Sequence, residues 1–162
     1  MPDTFQIQPA QEGHVAAMVA LSEQKRTEYA AYQPVFWRKA AGSAAAQTPY
    51  FHHLLTQENT LALVALHGET VTGFVIAAIV SAPAVYDPGG LTCMIDDFCV
   101  AQPDQWQMLG RALLQAVTTQ AAGRGATQAV VVCGHLDEPK RALLRDAGLS
   151  IASEWYVSPI TR

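Results

Sequence analysis

The pattern of apolar and polar positions divides the chain into short strands and amphipathic helices. Apolar residues recur every three or four positions in the expected helices, and they alternate or run continuously in the expected strands. The expected elements, in chain order, are a strand at 5–8, a helix from Glu12, a short helix at 49–57 that begins at Pro49, strands at 60–66, 71–80 and 91–100, a helix that contains 109–117, a strand at 129–133, a helix from Asp137 that ends at Gly148, and a last strand at 149–157.

The order of these elements predicts the fold class. A hairpin is expected at His67-Gly68-Glu69, where a turn separates two β-branched apolar runs. Later strands alternate with helices, which is typical of parallel crossovers, so the sheet should be mixed. The continuous apolar run 129–133 predicts an interior strand that is covered on both faces. We expect one α/β domain over residues 1–162, with a mixed, mostly antiparallel central sheet flanked by helices.

Composition and charge narrow the function classes. The chain is 50% hydrophobic and 15% charged, with a formal net charge of −4 and no basic cluster, so no nucleic-acid partner is expected. The most apolar stretch, 73–85, contains Pro83 and is shorter than the about 20 residues of a membrane span. No leader pattern is visible at the amino terminus, and the cysteines at 93, 99 and 133 lack metal-ligand spacing. These features predict a cytoplasmic protein with no metal site and no membrane contact.

The segment from Ile95 to Leu114 carries the candidate chemistry. A strand ends at Val100, a turn at 101–107 follows, and a helix begins after it. Such a turn leaves backbone N–H groups unpaired at a helix start, where the helix dipole also favours an anion such as phosphate. Neither the Walker A pattern nor the dinucleotide-binding glycine pattern is present.

A family resemblance extends this reading. Ile95-Asp96-Asp97-Phe98-Cys99-Val100, a proline-containing turn and Gly110-Arg111-Ala112-Leu113-Leu114 resemble motif A of the GCN5-related N-acetyltransferases, and the likeness spans roughly residues 60–157. The resemblance implies that family's fold, acetyl-CoA as co-substrate and transfer of acetyl to an amine. It also implies that the fourth and fifth strands splay apart and that the pantetheine arm of the cofactor lies in the gap.

The resemblance further implies a set of cofactor-binding residues. The family's pyrophosphate loop, Arg/Gln-x-x-Gly-x-Gly/Ala, aligns with 105–110, which places Met108 where the first glycine belongs. A register displaced by two residues, 107–112, satisfies the pattern literally, but the helix alignment favours the first. The implied contacts are Phe98, Cys99, Val100, Gln105, Gln107, Met108, Leu109, Gly110, Arg111 and Asp137.

The resemblance also assigns the proton transfers. Asp96 matches a position that is often glutamate and is proposed as the base; alternatively, Asp96 and Asp97 hydrogen-bond a neighbouring strand or loop. The family's acid is a tyrosine within an Asn-x-x-Ala-x-x-x-Tyr-like segment, and here Asp137 replaces the asparagine and Leu144 the tyrosine. His135 is a substitute acid or a plain surface residue, and Asp137 is also a helix N-cap.

Four aromatic residues precede the sheet and have two interpretations. Tyr29, Tyr32, Phe36 and Trp37 either line an acceptor pocket, as this region does in the family, or pack against an alanine-rich segment.

The predicted function is therefore acetyl-CoA-dependent N-acetylation of a primary amine, on a small molecule or a peptide, by direct attack in a ternary complex. The alternative is a non-catalytic acyl-CoA-binding regulatory module on the same fold, which Met108 and Leu144 favour. The resemblance leaves a homodimer open.

Overall fold

The computed structural model describes residues 4–162, which form a five-stranded sheet with helices on both faces. The strands are β1 Gln6–Pro9, β2 Thr60–His67, β3 Thr70–Val80, β4 Leu91–Val100 and β5 Ala126–Val131. The helices are α1 Val15–Tyr32, α2 Ser43–Leu55, α3 Arg111–Gly123 and α4 Glu138–Asp146. A 3-10 turn, Glu12–His14, precedes α1.

The strands lie side by side in chain order, from β1 to β5. The first four pair antiparallel, and β5 pairs parallel to β4 after the crossover through α3. The mixed, mostly antiparallel sheet predicted from the sequence is thus confirmed. The β2–β3 hairpin is also confirmed, and its turn contains Gly68 at φ 61°, a backbone conformation that glycine adopts without a Cβ penalty.

Each face of the sheet has its own apolar core. One core joins Leu63, Val75 and Phe98 of the sheet to Leu113 and Val117 of α3. The other core covers the opposite face with residues of α1 and α2. Its buried members include Met18, Val19, Phe51, Val64, Phe74 and Cys99. Burial on both faces fixes the registers of β2, β3 and β4, since a shift by one residue would exchange the faces.

Helix α2 begins earlier than predicted. It begins at Ser43, directly after Gly42 at φ 72°, and Pro49 lies inside it rather than at its start. The alanine-rich stretch that precedes Pro49 has high helix propensity, which extends the helix toward the amino terminus. No helix within residues 4–162 is long and apolar enough to cross a membrane.

The carboxyl-terminal part of the chain departs from two predictions. The prediction that residues 129–133 form an interior strand is wrong, because the strand in this region, β5, lies at the edge of the sheet and exposes Thr127 and Gln128. The strand predicted at 149–157 is also wrong: that segment lies outside any helix or strand, and Trp155 is 83% exposed. Apolar and β-branched residues favour a strand only where a neighbouring edge pairs with them.

Candidate active site

The gap between β4 and the chain that follows β5 is the central feature of the site. Parallel pairing joins Leu91–Ile95 of β4 to residues 126–131 of β5. The N–H of Val132 donates to the carbonyl of Ile95 at 3.0 Å, and the two chains separate beyond that bond. Strand β4 continues to Val100 while it pairs only with β3 among the described strands.

A β-bulge lies where the separation begins. The β3–β4 register places Ile76 opposite Asp97 and Ala77 opposite Ile95, so Asp96 is the extra residue of β4. Bulges turn a strand and redirect side chains, and they are common next to active sites. Asp96 is exposed, whereas Asp97 is half-buried. Burial raises the pKa of Asp97 above its usual range, and the positive charge of Lys25 opposes that shift.

The alternation of backbone groups after the bulge determines which residues face the gap. The N–H of Ala101 donates to the carbonyl of Thr72 at 2.8 Å, so Ala101 and, two residues earlier, Cys99 direct their polar backbone groups toward β3. Phe98 and Val100 therefore direct theirs toward the gap. Of the three β4 residues predicted to contact the cofactor, Phe98 and Val100 offer backbone groups there, and Cys99 does not.

Lys140 on α4 fills the gap beside Phe98. Its side chain is 0% exposed, and its Nζ donates to the carbonyl oxygen of Phe98 at 3.2 Å. The ammonium also lies 5.3 Å and 5.4 Å from the ring centroids of Phe98 and Trp106. Burial lowers the pKa of Lys140 to about 8, with a further contribution from the charge of Lys25. None of the ion pairs among the described residues includes Lys140.

Asp137 joins three parts of the structure beside this lysine. Its Oδ2 accepts from the hydroxyl of Tyr29 at 2.5 Å, and its Oδ1 accepts from the N–H of Lys140 at 3.4 Å. The second bond makes Asp137 the N-cap of α4, which confirms that part of the prediction. The Tyr29 hydroxyl also accepts from the N–H of Gly134 at 3.1 Å. Burial, followed by the charge of Asp137, raises the pKa of Tyr29 above its usual range.

The four aromatic residues predicted near an acceptor pocket do come together, around Tyr29. The ring of Tyr29 lies 4.7 Å from that of Trp37 and 5.6 Å from that of Tyr32, and Phe36 lies 5.1 Å from Trp37. A Cβ on Gly134 would lie 2.9 Å from the Tyr29 ring, so this close packing requires glycine. The cluster therefore covers the chain just after β5.

The segment predicted as a pyrophosphate loop is helical. A 3-10 turn, Pro103–Gln105, leads into a π-helical turn, Trp106–Gly110, which continues into α3. The side chain of Gln105 caps this start by accepting from the N–H of Gln102 at 3.0 Å. The predicted turn at 101–107 is therefore wrong from residue 103 onward, where the chain is helical. Trp106 and Leu109 are buried, so apolar packing holds the segment in the helical form.

The side chains of this segment have distinct environments. Gln107 donates to Asp146 at 3.0 Å and accepts from Arg111 at 3.0 Å. Met108 is 51% exposed. Gly110 is buried, and a Cβ there would lie 2.5 Å from the Trp106 ring and 3.0 Å from Leu143, so α3 approaches α4 closely at this residue.

A shallow cleft leads from the surface toward the gap. Its cavity is about 50 Å³, and α1, the end of β4 and the start of α4 form its walls, including Lys25, Tyr32, Val100, Trp106 and Asp137. His135 is exposed and does not line this cleft. Among the described residues, no group of three metal-ligating side chains comes together.

The family model described as "Acetyltransferase (GNAT) family" matches residues 23–149. The chain belongs to the GNAT family of acetyltransferases. Acetyl-CoA is the cofactor of this family, so the cofactor class predicted from the sequence is confirmed. Comparison with curated proteins returns no match.

Solved structures of low sequence identity share the GNAT fold of this chain. A predicted acetyltransferase from Clostridium acetobutylicum with acetyl-CoA is 13% identical, with 96% of each chain covered and a TM-score of 0.75. Ribosomal-protein-alanine N-acetyltransferase from Brucella melitensis biovar Abortus is 18% identical, with coverages of 97% and 100% and a TM-score of 0.65. Aminoglycoside N-acetyltransferase AAC(6')-Iy in complex with CoA is 12% identical, with coverages of 100% and 97% and a TM-score of 0.72.

Two residues of the candidate site, Lys140 and Lys25, were not predicted from the sequence. Lys140 stands where the family pattern has a small alanine, three residues after Asp137, and that difference was the available signal. Lys25 lines the cleft from α1, with its Nζ 5.2 Å from the Tyr29 ring centroid. A lysine on a helix is ordinarily solvated, so the sequence pattern of α1 alone does not predict that Lys25 lines the cleft.

Proposed function

We propose that this protein transfers acetyl from acetyl-CoA to the primary amine of a small molecule. The observation that carries the proposal is the edge of β4 beyond Ile95, where Phe98 and Val100 present backbone groups that β5 does not pair. An extended pantetheine arm contains amide groups that can bond to such an edge as an added strand does. The fold shared with an aminoglycoside acetyltransferase supports a small acceptor, and the one shared with a ribosomal-protein acetyltransferase keeps a peptide amine as the second candidate.

The reaction requires removal of a proton from the acceptor ammonium. The freed amine attacks the thioester carbonyl, the C–S bond breaks, and CoA departs as a thiolate that takes its proton from His135, the proposed acid, or directly from solvent. Asp96 is the proposed base, acting through water from the bulge. Asp97 is the second candidate, because burial raises its pKa toward the range in which a carboxylate removes protons efficiently at neutral pH. Asp97 shares its face of β4 with Cys99, toward α1 and α2, where the acceptor pocket is expected.

Two further roles complete the proposal. The N–H of Phe98 faces the gap, and we assign to it the hydrogen bond to the oxyanion of the tetrahedral intermediate. We keep Asp137 and the segment 105–111 as the proposed cofactor contacts. The helical start at Pro103 carries the exposed Asp104, which opposes an anion at the first turn. His135 stays a proposed acid that would have to act from the solvent side.

Calorimetric titration with acetyl-CoA and desulfo-CoA, followed by free-thiol release over a panel of amines, tests this function. We expect binding of both cofactors and turnover with a small primary amine. Replacing the base by asparagine should lower the rate by about 10²–10⁴-fold, most strongly at low pH, where less free amine is present. Asp96→Asn and Asp97→Asn are compared with Glu69→Gln, an exposed carboxylate in the β2–β3 turn, as the matched control.

A non-catalytic acyl-CoA-binding module is the second candidate function. The absence of a tyrosine at Leu144 and the occupied gap at Lys140 favour it. Cofactor binding without thiol release over the whole amine panel would support the module and contradict the enzyme. If neither cofactor binds to the folded protein, both functions are rejected.

A further inference from the structure

We propose that the Lys140 side chain is an internal occupant of the cofactor gap, and that acyl-CoA binds by displacing it from the carbonyl of Phe98. This inference rests on the proposed function in one respect, namely that the gap receives the pantetheine arm. It adds a determinant of cofactor affinity that the resemblance does not imply, since the family has a small alanine at this position.

The hydrogen bond between Lys140 and Phe98 places the ammonium in the gap. Beyond Ile95 none of the described strands covers the outer edge of β4, and the Phe98 carbonyl points across that edge. The Nζ of Lys140 takes the position of the missing strand's donor at 3.2 Å. A pantetheine amide that pairs with the same carbonyl therefore requires Lys140 to leave.

The volume of the site agrees with an occupied gap. Small-molecule sites commonly measure about 300–1,000 Å³, whereas the cavity here is about 50 Å³. Trp106, Asp137 and Pro139 line this cavity, and Lys140 lies fully buried behind that wall. The space that a cofactor arm would use is filled by the protein's own side chain.

The way in which Lys140 is held makes it displaceable. A paired carboxylate offsets part of the hydration that a buried ammonium loses, and an ammonium without such a partner bears most of that cost. Lys140 has one neutral carbonyl and two ring faces instead, and no acidic group lies within ion-pair distance of its Nζ among the described residues. Movement into solvent restores hydration of the ammonium, and the four-carbon stem of lysine allows that movement without a change in α4.

Removing the side chain should tighten cofactor binding. We expect Lys140→Ala to lower the Kd for acetyl-CoA about tenfold at neutral pH, equivalent to about 1.4 kcal/mol. Lys140→Met keeps the volume and removes the hydrogen bond, so an intermediate Kd is expected; this variant also guards against collapse of the alanine variant. Arg38→Ala, which removes an exposed cation, should bind as the wild type does.

Chemical labelling supplies a second readout that a purely structural lysine would not move. An amine-reactive reagent, followed by peptide mass spectrometry, should spare Lys140 in the free protein and modify it when saturating desulfo-CoA is present. The exposed Lys39 serves as the internal reference.

The outcomes separate this inference from the proposed function. Equal or weaker acetyl-CoA binding by both Lys140→Ala and Lys140→Met overturns the inference alone, as does continued protection of Lys140 in the cofactor complex. Absence of binding in every folded variant overturns both proposals. Binding that appears only after Lys140 is removed supports the inference and identifies the wild-type chain as a closed form.

Discussion

Replacement of Tyr29 by phenylalanine should destabilise the fold by about 3 kcal/mol. The hydroxyl is buried, with Tyr29 5% exposed, and it bonds both to Asp137 and to the N–H of Gly134. Loss of a hydrogen bond to a charged group costs about 1.5–3 kcal/mol, and a buried N–H without an acceptor costs about 1–3 kcal/mol. The two losses share one atom and are not fully additive, so we take a value near the lower end of their summed range of about 2.5–6 kcal/mol.

Urea unfolding followed by circular dichroism measures this change. In a domain of this size, 1 kcal/mol corresponds to about 2–4 °C in Tm, so the melting temperature should fall by about 6–12 °C. Tyr86→Phe is the matched control, because Tyr86 is 72% exposed and should change the free energy of unfolding little.

The double variant Tyr29→Phe/Asp137→Asn should lose less stability than the sum of the two single variants. A loss below about 0.5 kcal/mol for Tyr29→Phe, within the ordinary range of surface substitutions, would refute the assigned role of this network.

Three further predictions concern stability. Gly110→Ala should destabilise by about 1–3 kcal/mol, because the added Cβ meets a side chain at 2.5 Å, whereas Gly123→Ala, with open space around it, should not; equal melting temperatures would contradict this. Lys140→Met should stabilise the protein at pH 7. This advantage in unfolding free energy should shrink from pH 8 to 10.5. In the folded wild type the pKa of Lys140 is lowered from 10.5 to about 8, so the folded protein binds fewer protons in this range than the unfolded chain and gains stability as the pH rises. A difference in unfolding free energy that does not change with pH would be inconsistent with that shift. The pKa of Glu23 is lowered from 4.5 to about 2 by its bonds to Lys39, Ser43 and Arg26, so the stabilising effect of its carboxylate is complete above pH 4.5 and lost as the pH falls toward 2. The free energy of unfolding of Glu23→Gln should therefore depend less on pH in this range than that of the wild type, and an unchanged pH dependence would exclude the effect.

The sheet could be predicted from sequence because its strands are buried and bounded by turn residues. Strand β4 has the predicted bounds, since its mostly apolar run lies between a loop that contains Gly89 and Gly90 and a turn that contains Pro103. The segment 149–157 has the same residue types but pairs with none of the strands in the described part of the chain, and propensity alone did not make it a strand. The buried pair Trp106 and Leu109, together with Gln105 three residues after Gln102, is a helix signal that the family's loop pattern obscured.

The chemistry of the gap could be predicted only in part. The carboxylates at the bulge are visible in the sequence because they interrupt an apolar strand. The contact between Tyr29 and Asp137 spans 108 positions along the chain, and no local pattern indicates it. The burial of Lys140 depends on the distance between α4 and β4, which tertiary packing sets and which a helical pattern does not contain.

The parallel pairing of β5 with β4 has a consequence for how the molecule opens. Strands β2, β3 and β4 are joined by short-range pairings, whereas β5 and α4 reach the sheet through the crossover and form the other side of the gap. Short edge units with few buried contacts open locally at lower free energy than the centre of a sheet. We expect amide hydrogen exchange in β5 and α4 to be faster than in β3, and to slow selectively when acetyl-CoA is added. Cofactor affinity would then be linked to the local unfolding equilibrium of the last third of the chain.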